Sequence, residues 1–368
     1  MLSFIIADLF TPILRRITLL FKAIDKGDTY RKIHAIPTPT LGGISIFAAF
    51  YIPLIGLLIY ENKISQLFTS DYKLVVGLFT GGAIIFALGI LDDLKEIKPL
   101  HKLAVQILAA TTVYYFGFKI VRLSIPFYHS PLELGFFGYF ITLFWIVGIT
   151  NAINLIDGSD GLAAGISIFV VLNLLITSIL NSSTLLILFS LALLGGLIGF
   201  LRYNFPPAKI FMGDTGSQFV GFIISILAIS EAQKGATTVA LLSPIIVLGI
   251  PIIDTFLAIA RRVIKGVSIF EADSDHIHHR LIKKGFSRKK IAIYIYVFCL
   301  ILWILSMIVI VGKNVLIALV LILMLITFWF ITKKLGYLDE LKLSHSNGRL
   351  LKRLLNKKLL RISSSSEK

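Results

Sequence analysis

Apolar residues run in long blocks along most of this chain, near residues 2–22, 41–60, 73–91, 103–118, 136–156, 161–180, 184–201, 217–230, 238–260, 291–312 and 314–332. Most blocks approach the ~20 residues that an α-helix needs to cross hydrocarbon, and the polar stretches between them are mostly short. The pattern predicts an all-α polytopic membrane protein with ten or eleven transmembrane helices. Pro12, Pro53, Gly195, Gly196, Pro244 and Pro251 fall inside blocks. A helix in lipid tolerates them because it keeps or locally re-satisfies its backbone hydrogen bonds. The first block carries Asp8, Arg15 and Arg16 with no small-residue cleavage site after it, so it is expected to be a retained span and not a signal peptide. No internal repeat is visible.

Composition sharpens this picture. Of 368 residues 57% are hydrophobic and 15% charged, with a mean hydropathy of +0.90. That excludes a disulfide-built secreted scaffold, a disordered tail protein and an ordinary cytosolic enzyme. The lone cysteine, Cys299, has no partner for an internal disulfide. A net charge of +16 would suggest nucleic acid in a soluble chain, but in a polytopic one it reflects basic residues collecting on the cytoplasmic side. Alternating the blocks leaves only Lys63, Lys73, Lys119, Arg122, Lys234 and Lys313 on one side, and the other 30 of the 36 Lys and Arg on the opposite one. The N-terminus is therefore expected outside and the C-terminus inside. Residues 1–332 make the membrane unit. Beyond it, Leu350, Leu351, Leu354, Leu355, Leu359 and Leu360 alternate with Lys352, Arg353, Lys357, Lys358 and Arg361. This suits either a basic amphipathic helix on an anionic leaflet or a solvated tail, with Ser363–Lys368 disordered.

Carboxylates cost roughly 2.5–3.5 kcal/mol at a helix centre in lipid, so their placement is informative. Asp92 and Asp93 end one block, Asp157 and Asp160 end another, and Asp214 follows a third; all five fall on the expected inner side. Taken singly they are helix caps or turn residues beside glycine. Together they suit a site for a polyanionic, water-soluble substrate with a hard cation, because magnesium takes oxygen ligands from one or two carboxylates plus substrate phosphates. Two look-alikes fail. The run Asp157-Gly-Ser-Asp-Gly lacks the acid a calcium loop needs at its twelfth position, which is Ile168, and Asp214-Thr-Gly-Ser has no second copy to complete an aspartic-protease pair. In the longest basic loop, His276, His278, His279 and Arg280 lie close to Arg261, Arg262, Lys283 and Lys284. Phosphate contact is the natural reading, with a metal site or a structural cluster as alternatives. Asp254 is expected to hold Arg261 or a lysine in place.

Five segments in register then resemble one family. Leu91–Asp93, Asn151–Ala163, Asn204–Ser217, His276–Leu281 and Arg31–Gly43 are similar to the polyprenyl-phosphate N-acetylhexosamine-1-phosphate transferases. The resemblance implies a magnesium-dependent transfer, with manganese as a substitute, of a sugar 1-phosphate from a UDP-sugar to undecaprenyl phosphate with release of UMP. It further implies an active site on the cytoplasmic face of the cell membrane and a homodimer. By the same analogy Asp214 would hold the metal, with Asp157 beside it, and Asp92, Asp93, Asp157 and Asp214 would be the catalytic acids. Phe211 would stack on uracil with Asn204 nearby, while Lys102, His276, His278 and His279 would meet phosphates. Lys32, Asn151, Asn154, Asp160 and Arg280 would complete the substrate-binding set.

The order His-Ile-His-His-Arg-Leu is similar to the branch that uses UDP-N-acetylglucosamine for teichoic acid or O-antigen synthesis, with another UDP-N-acetylhexosamine as the alternative. A phosphate monoester is already largely ionised at neutral pH, so direct attack by the lipid phosphate is expected, with an aspartyl-phosphate intermediate as the alternative. An ion-coupled transporter is the competing class, but its acids would sit near the midplane of inverted repeats.

Overall fold

The computed structural model describes residues 1–20, 24–25, 38–60, 63–123, 131–234, 239–268 and 276–311, with positions 319, 323, 326 and 333. The eleventh apolar block, the amphipathic tail and Lys32 lie outside the described residues, apart from those single positions. The described chain is almost entirely helical. In order it forms α1 (Leu2–Leu20), β1 (Ile24–Asp25), β2 (Thr38–Pro39), α2 (Gly43–Ile59), α3 (Lys63–Ser70), α4 (Tyr72–Lys95) and α5 (Pro99–Tyr115). Next come β3 (Arg122–Leu123), β4 (Leu132–Glu133), α6 (Phe137–Ile156), α7 (Leu162–Leu180), α8 (Thr184–Asn204) and α9 (Gly213–Lys234). The chain continues through α10 (Val239–Val247), α11 (Gly249–Lys265), α12 (Ile277–Lys283) and α13 (Arg288–Val311). The strands are two-residue antiparallel clasps, β1 with β2 and β3 with β4.

Six helices (α4, α6, α7, α8, α9 and α13) are long and apolar enough to cross a membrane, seven if α2 and α3 form one bent span. The protein is a multi-pass membrane protein. The blocks at 2–22, 41–60, 103–118 and 238–260 are also helical, but each is shorter, more charged or broken.

At the centre stands α9. Its apolar window is 94% enclosed by protein, against 28% for α13, and its mean hydropathy of 1.4 is the lowest of the six. Those facts are connected. A helix that meets protein instead of lipid can carry Ser217, Gln218, Ser225, Ser230 and Glu231 inward, provided each finds a partner. Ser178 of α7 and Asn181, which caps its C-terminal end, both hydrogen-bond Glu231. Small residues let neighbouring backbones approach α9: a Cβ on Gly43 of α2 would lie 2.1 Å from the Gly216 nitrogen.

Two expectations change here. The block at 238–260 is not one straight helix, because Pro251 cannot donate to the carbonyl of Val247 and the helix breaks at Leu248. The first part, α10, packs on α13, α9 and α7, whereas α11 packs on α6. The block at 2–22 is a helix but not a crossing coextensive with its neighbour. Gly195 and Gly199 of α8 meet Ser3 and Ala7, Arg202 pairs with Asp8 at 2.7 Å, and Arg15 donates to the Lys209 carbonyl at 3.1 Å. The two helices run parallel, so the second half of α1 extends past the end of α8.

Candidate active site

The C-terminal ends of α4, α6 and α8 and the N-terminal ends of α2, α5, α7 and α9 converge at one end of the bundle. Lys73 opens α4 and Asp92 and Asp93 close it, so the acids lie a full helix length from the opposite end.

Asp92 is buried and spent on donors. One oxygen accepts the Ile97 N–H at 2.8 Å; the other is paired with the Lys102 ammonium of α5 and lies 3.5 Å from the Gln218 amide. Lys102 also reaches Asp214 at 3.4 Å. Beneath this pair three carboxamides interlock. Asn151 donates to Gln106 at 2.8 Å, and Gln106 donates to Asn151 at 3.3 Å and to Gln218 at 3.2 Å. Since the Gln218 oxygen accepts from Gln106, its NH2 is turned towards Asp92. Asn154 accepts from the Ser217 hydroxyl at 2.6 Å.

Carboxylates occupy the first turn of α9. The Gly213 N–H bonds Asp157, and the Asp214 and Thr215 N–H groups bond Asp93 at 2.8 and 3.0 Å. A helix N-terminus is ordinarily a ready site for a phosphate, but here the protein's own acids take those donors. A phosphorylated ligand approaching the start of α9 would therefore meet carboxylates and not free N–H donors. Asp157 sits among its like: burial, then the charges of Asp214 and Asp93, push its pKa well above the usual carboxylate range.

The remaining residues divide into two groups. Asn204 and Asp160 serve as loop pins. Asn204 accepts from the Gly161 N–H at 3.1 Å and donates to the Ile210 carbonyl at 2.9 Å, while Asp160 accepts from the Ala208 N–H at 3.0 Å and pairs with Arg288 at 3.5 Å. Phe211 is half-buried; its N–H donates to the Pro39 carbonyl and its carbonyl accepts from Gly42, which docks the loop before α9 onto the segment entering α2. The histidines form the second group. His276 caps α12, and His278 and His279 lie on its first turn with ring centroids 4.1 Å apart, one residue before Arg280.

His278 is buried against the turn that holds Asp157. A Cβ on Gly158 would lie 3.0 Å from its Nε2, and neither ring nitrogen has a hydrogen-bond partner among the described residues. Burial, reinforced by His279 and His276, holds its pKa well below the usual imidazole range, so the ring is neutral at pH 7. Asp254 of α11 grips His276, with its carboxylate 3.0 Å from Nδ1 and also 3.0 Å from the Ile277 N–H. That carboxylate was expected to hold Arg261 or a lysine; a histidine is its observed partner. Replacing Asp254 with Ala should leave two buried donors without an acceptor and cost ~1–3 kcal/mol for each unsatisfied group. Thermal unfolding in detergent measures this.

Sequence reading missed Gln106, Gln218, Thr215 and Ser217. Two carried a usable signal: Gln106 falls four residues after Lys102 and Gln218 four after Asp214, the spacing that puts side chains on one helix face.

Could these residues hold magnesium? Among the described residues no cluster of three or more His, Cys, Asp or Glu is arranged around one point. Asp157 and Asp214 nevertheless lie close enough for their charges to interact, and two carboxylates suffice for an ion that keeps waters and takes substrate phosphates. The donor set fits.

A helical membrane bundle with four carboxylates, a lysine and a histidine cluster around one end is the architecture of a membrane-embedded enzyme. Glycosyl transferase family 4 matches residues 75–232, the stretch that carries Asp92 through Ser217. The chain is 41% identical over 286 residues to the probable undecaprenyl-phosphate N-acetylglucosaminyl 1-phosphate transferase of Bacillus subtilis, covering 78% of this chain and 77% of that protein. It is 34% identical over 297 residues to the decaprenyl-phosphate N-acetylglucosaminephosphotransferase of Mycobacterium leprae, covering 72% of each. Against the undecaprenyl-phosphate alpha-N-acetylglucosaminyl 1-phosphate transferase of Escherichia coli K12 the identity is 28% over 295 residues, covering 78% and 76%. The chain belongs to glycosyl transferase family 4.

Proposed function

We propose that this transferase moves N-acetylglucosamine 1-phosphate from UDP-N-acetylglucosamine to undecaprenyl phosphate and releases UMP. The observation that carries the reading is the gathering of Asp92, Lys102, Asp157 and Asp214 at one end of the bundle, in a chain whose relatives bear names describing that transfer. The distribution of basic residues supports a cytoplasmic location for this end in the cell membrane. The reading extends to the first lipid-linked step of an envelope glycan of the teichoic acid or O-antigen type, and to a homodimer.

The chemistry follows from charge. An oxygen of the lipid phosphate attacks the sugar-bearing phosphorus of the donor. The bond from that phosphorus to the bridging oxygen breaks, and the electron pair leaves with UMP. A dianionic nucleophile needs its repulsion from the pyrophosphate screened more than it needs a base. A magnesium ion held by Asp214 and Asp157 would supply neutralising charge at the pyrophosphate oxygens. Lys102, already bridging Asp92 and Asp214, is placed to hold an incoming phosphate beside that carboxylate pair. His278, neutral and without a hydrogen-bond partner among the described residues, would donate one hydrogen bond to a phosphate oxygen, with His279 and Arg280 beside it.

The test is UMP release by the purified protein in detergent, with and without undecaprenyl phosphate and magnesium, across a panel of UDP-N-acetylhexosamines. Release that needs lipid, metal and UDP-N-acetylglucosamine supports the reading. Release only with another donor moves the sugar assignment, and none with any donor overturns it.

A pH effect follows from Asp157. Its raised pKa means that the cation-free fold holds a proton which the unfolded chain loses above about 3.8, so this group's contribution to stability falls as pH rises towards its raised value. Cation binding needs the ionised form. The increment that magnesium adds to the melting temperature should therefore grow as pH rises through the raised pKa of Asp157, and Asp157→Asn should flatten that dependence. A magnesium increment in the native protein that ignores pH would remove Asp157 from the cation site.

A further inference from the structure

Of the acids at this end of the bundle, Asp93 is the one whose oxygens are engaged by backbone N–H groups and a hydroxyl of a different helix. One oxygen accepts the Asp214 N–H at 2.8 Å; the other accepts the Thr215 N–H at 3.0 Å and the Thr215 hydroxyl at 2.5 Å. An ionised carboxylate offers about four lone-pair positions, and three are filled from the first turn of α9. The carboxylate also lies directly over that helix end. A Cβ on Gly213 would stand 2.6 and 2.9 Å from its two oxygens, and Gly213 has the left-handed φ of +71°. One turn earlier on α4, Gly89 approaches so closely that a Cβ there would lie 2.4 Å from the Thr215 Cα. Helix α4 therefore meets the start of α9 at two successive levels, and the upper one ends in a negative charge on the positive end of the helix.

We propose that Asp93 is a positioning residue. It acts as an N-cap supplied from another helix, clamping the first turn of α9 so that Asp214 is held at the point where α4, α5 and α6 meet, and it does not itself touch substrate. A local N-cap lies just before the helix it caps in sequence, whereas this one is supplied 121 residues earlier. The acid next to it differs in kind. The partners of Asp92 are the Ile97 N–H of its own helix end and the side chains of Lys102, Gln218 and Asp214, so it meets α9 through side chains and leaves that helix's backbone alone. Two adjacent carboxylates on α4 thus divide the work: one holds the cationic side chain, the other holds the helix that presents Asp214. The consequence for cation demand rests on Asp214 being a magnesium ligand; the clamp does not.

The experiment compares Asp93→Asn, Thr215→Val and the double variant of the full chain in detergent. The first readout is thermal unfolding without magnesium or nucleotide. An Asn oxygen accepts, but its NH2 faces donors, so Asp93→Asn should melt several degrees lower. Thr215→Val should melt lower by a smaller amount. The double variant should melt close to Asp93→Asn alone, because both changes remove the same contact. The second readout is the magnesium concentration at half-maximal UMP release, which should rise at least threefold in Thr215→Val and return in Thr215→Ser.

Unchanged or raised melting in Asp93→Asn, with UMP release lost, would mark an acid that meets the substrate and would overturn the clamp. Additive melting shifts would do the same. If Asp93→Asn does not fold, the melting of Thr215→Val alone decides: a lower value supports the clamp and an unchanged one overturns it, while an unchanged magnesium requirement overturns the consequence drawn for Asp214. Should no UDP-sugar release UMP from the native protein, the melting comparison still tests the clamp separately from the transferase reading.

Discussion

If Asp214 holds magnesium as proposed, replacing it with Asn should lower UMP release by about 10²–10³-fold, the scale expected when a group that stabilises transition-state charge through a metal is neutralised. Asn fills the same space and keeps the backbone N–H that reaches Asp93, so the fold should survive. What goes is the negative charge that repels that of Asp157 and that Lys102 approaches at 3.4 Å. The informative companion is Asp160→Asn. Asp160 lies three residues after Asp157 and carries the same side chain, yet its partners include the Ala208 N–H and Arg288. Its Asn variant still accepts from Ala208 and loses the ion pair with Arg288, so it should melt lower and keep activity within severalfold. Equal loss of activity in both variants would show that the partners of these acids do not separate the working groups from the loop pins.

The second large effect concerns space. Within a helix, Ala is favoured over Gly by ~1 kcal/mol, so propensity alone predicts that Gly89→Ala stabilises the protein. The structure reverses the sign. The new Cβ would meet the Thr215 Cα at 2.4 Å, the Asp214 carbonyl oxygen at 2.7 Å and the Thr215 nitrogen at 2.8 Å. All three are backbone atoms that no rotamer change can move. Overpacking costs ~1–3 kcal/mol when side chains can yield, and here the alternative is to push α4 away from α9. Gly89→Ala should therefore melt several degrees lower and lose activity at the same time, since the displaced turn carries Asp214. Gly56→Ala in α2, where nothing lies within 4 Å, is the control and should be neutral or slightly stabilised. If the two substitutions behave alike, the approach of α4 to α9 is looser than described.

The positions of the helices were legible because apolar blocks in lipid must close their own backbone hydrogen bonds, which leaves the helix as the solution for each block. The departures have local causes. Pro251 breaks the helix at Leu248, and the approach of Gly195 and Gly199 to Ser3 and Ala7 sets the stagger of α1 against α8. The gathering of the acids was legible as well, because carboxylates at the ends of apolar blocks are too costly to be scattered through them. Their individual duties were not. Asp92 and Asp93 are neighbours with the same side chain, but successive residues point about 100° apart around a helix. One therefore meets Lys102 and the other meets α9. No spacing rule within the chain links Asp254 to His276, because their contact depends on where α11 turns after its break.

Hydrophobic patterning along the chain settled that this is a helical, multi-pass membrane protein with its acids at helix ends, since solvation in lipid penalises the alternatives segment by segment. Which acid grips a helix, which faces another acid, and which pins a loop was settled by packing. The small residues Gly43, Gly89 and Gly213 allow α2, α4 and α9 to come within backbone contact, and only at that range do side chains more than a hundred residues apart find each other's hydrogen bonds.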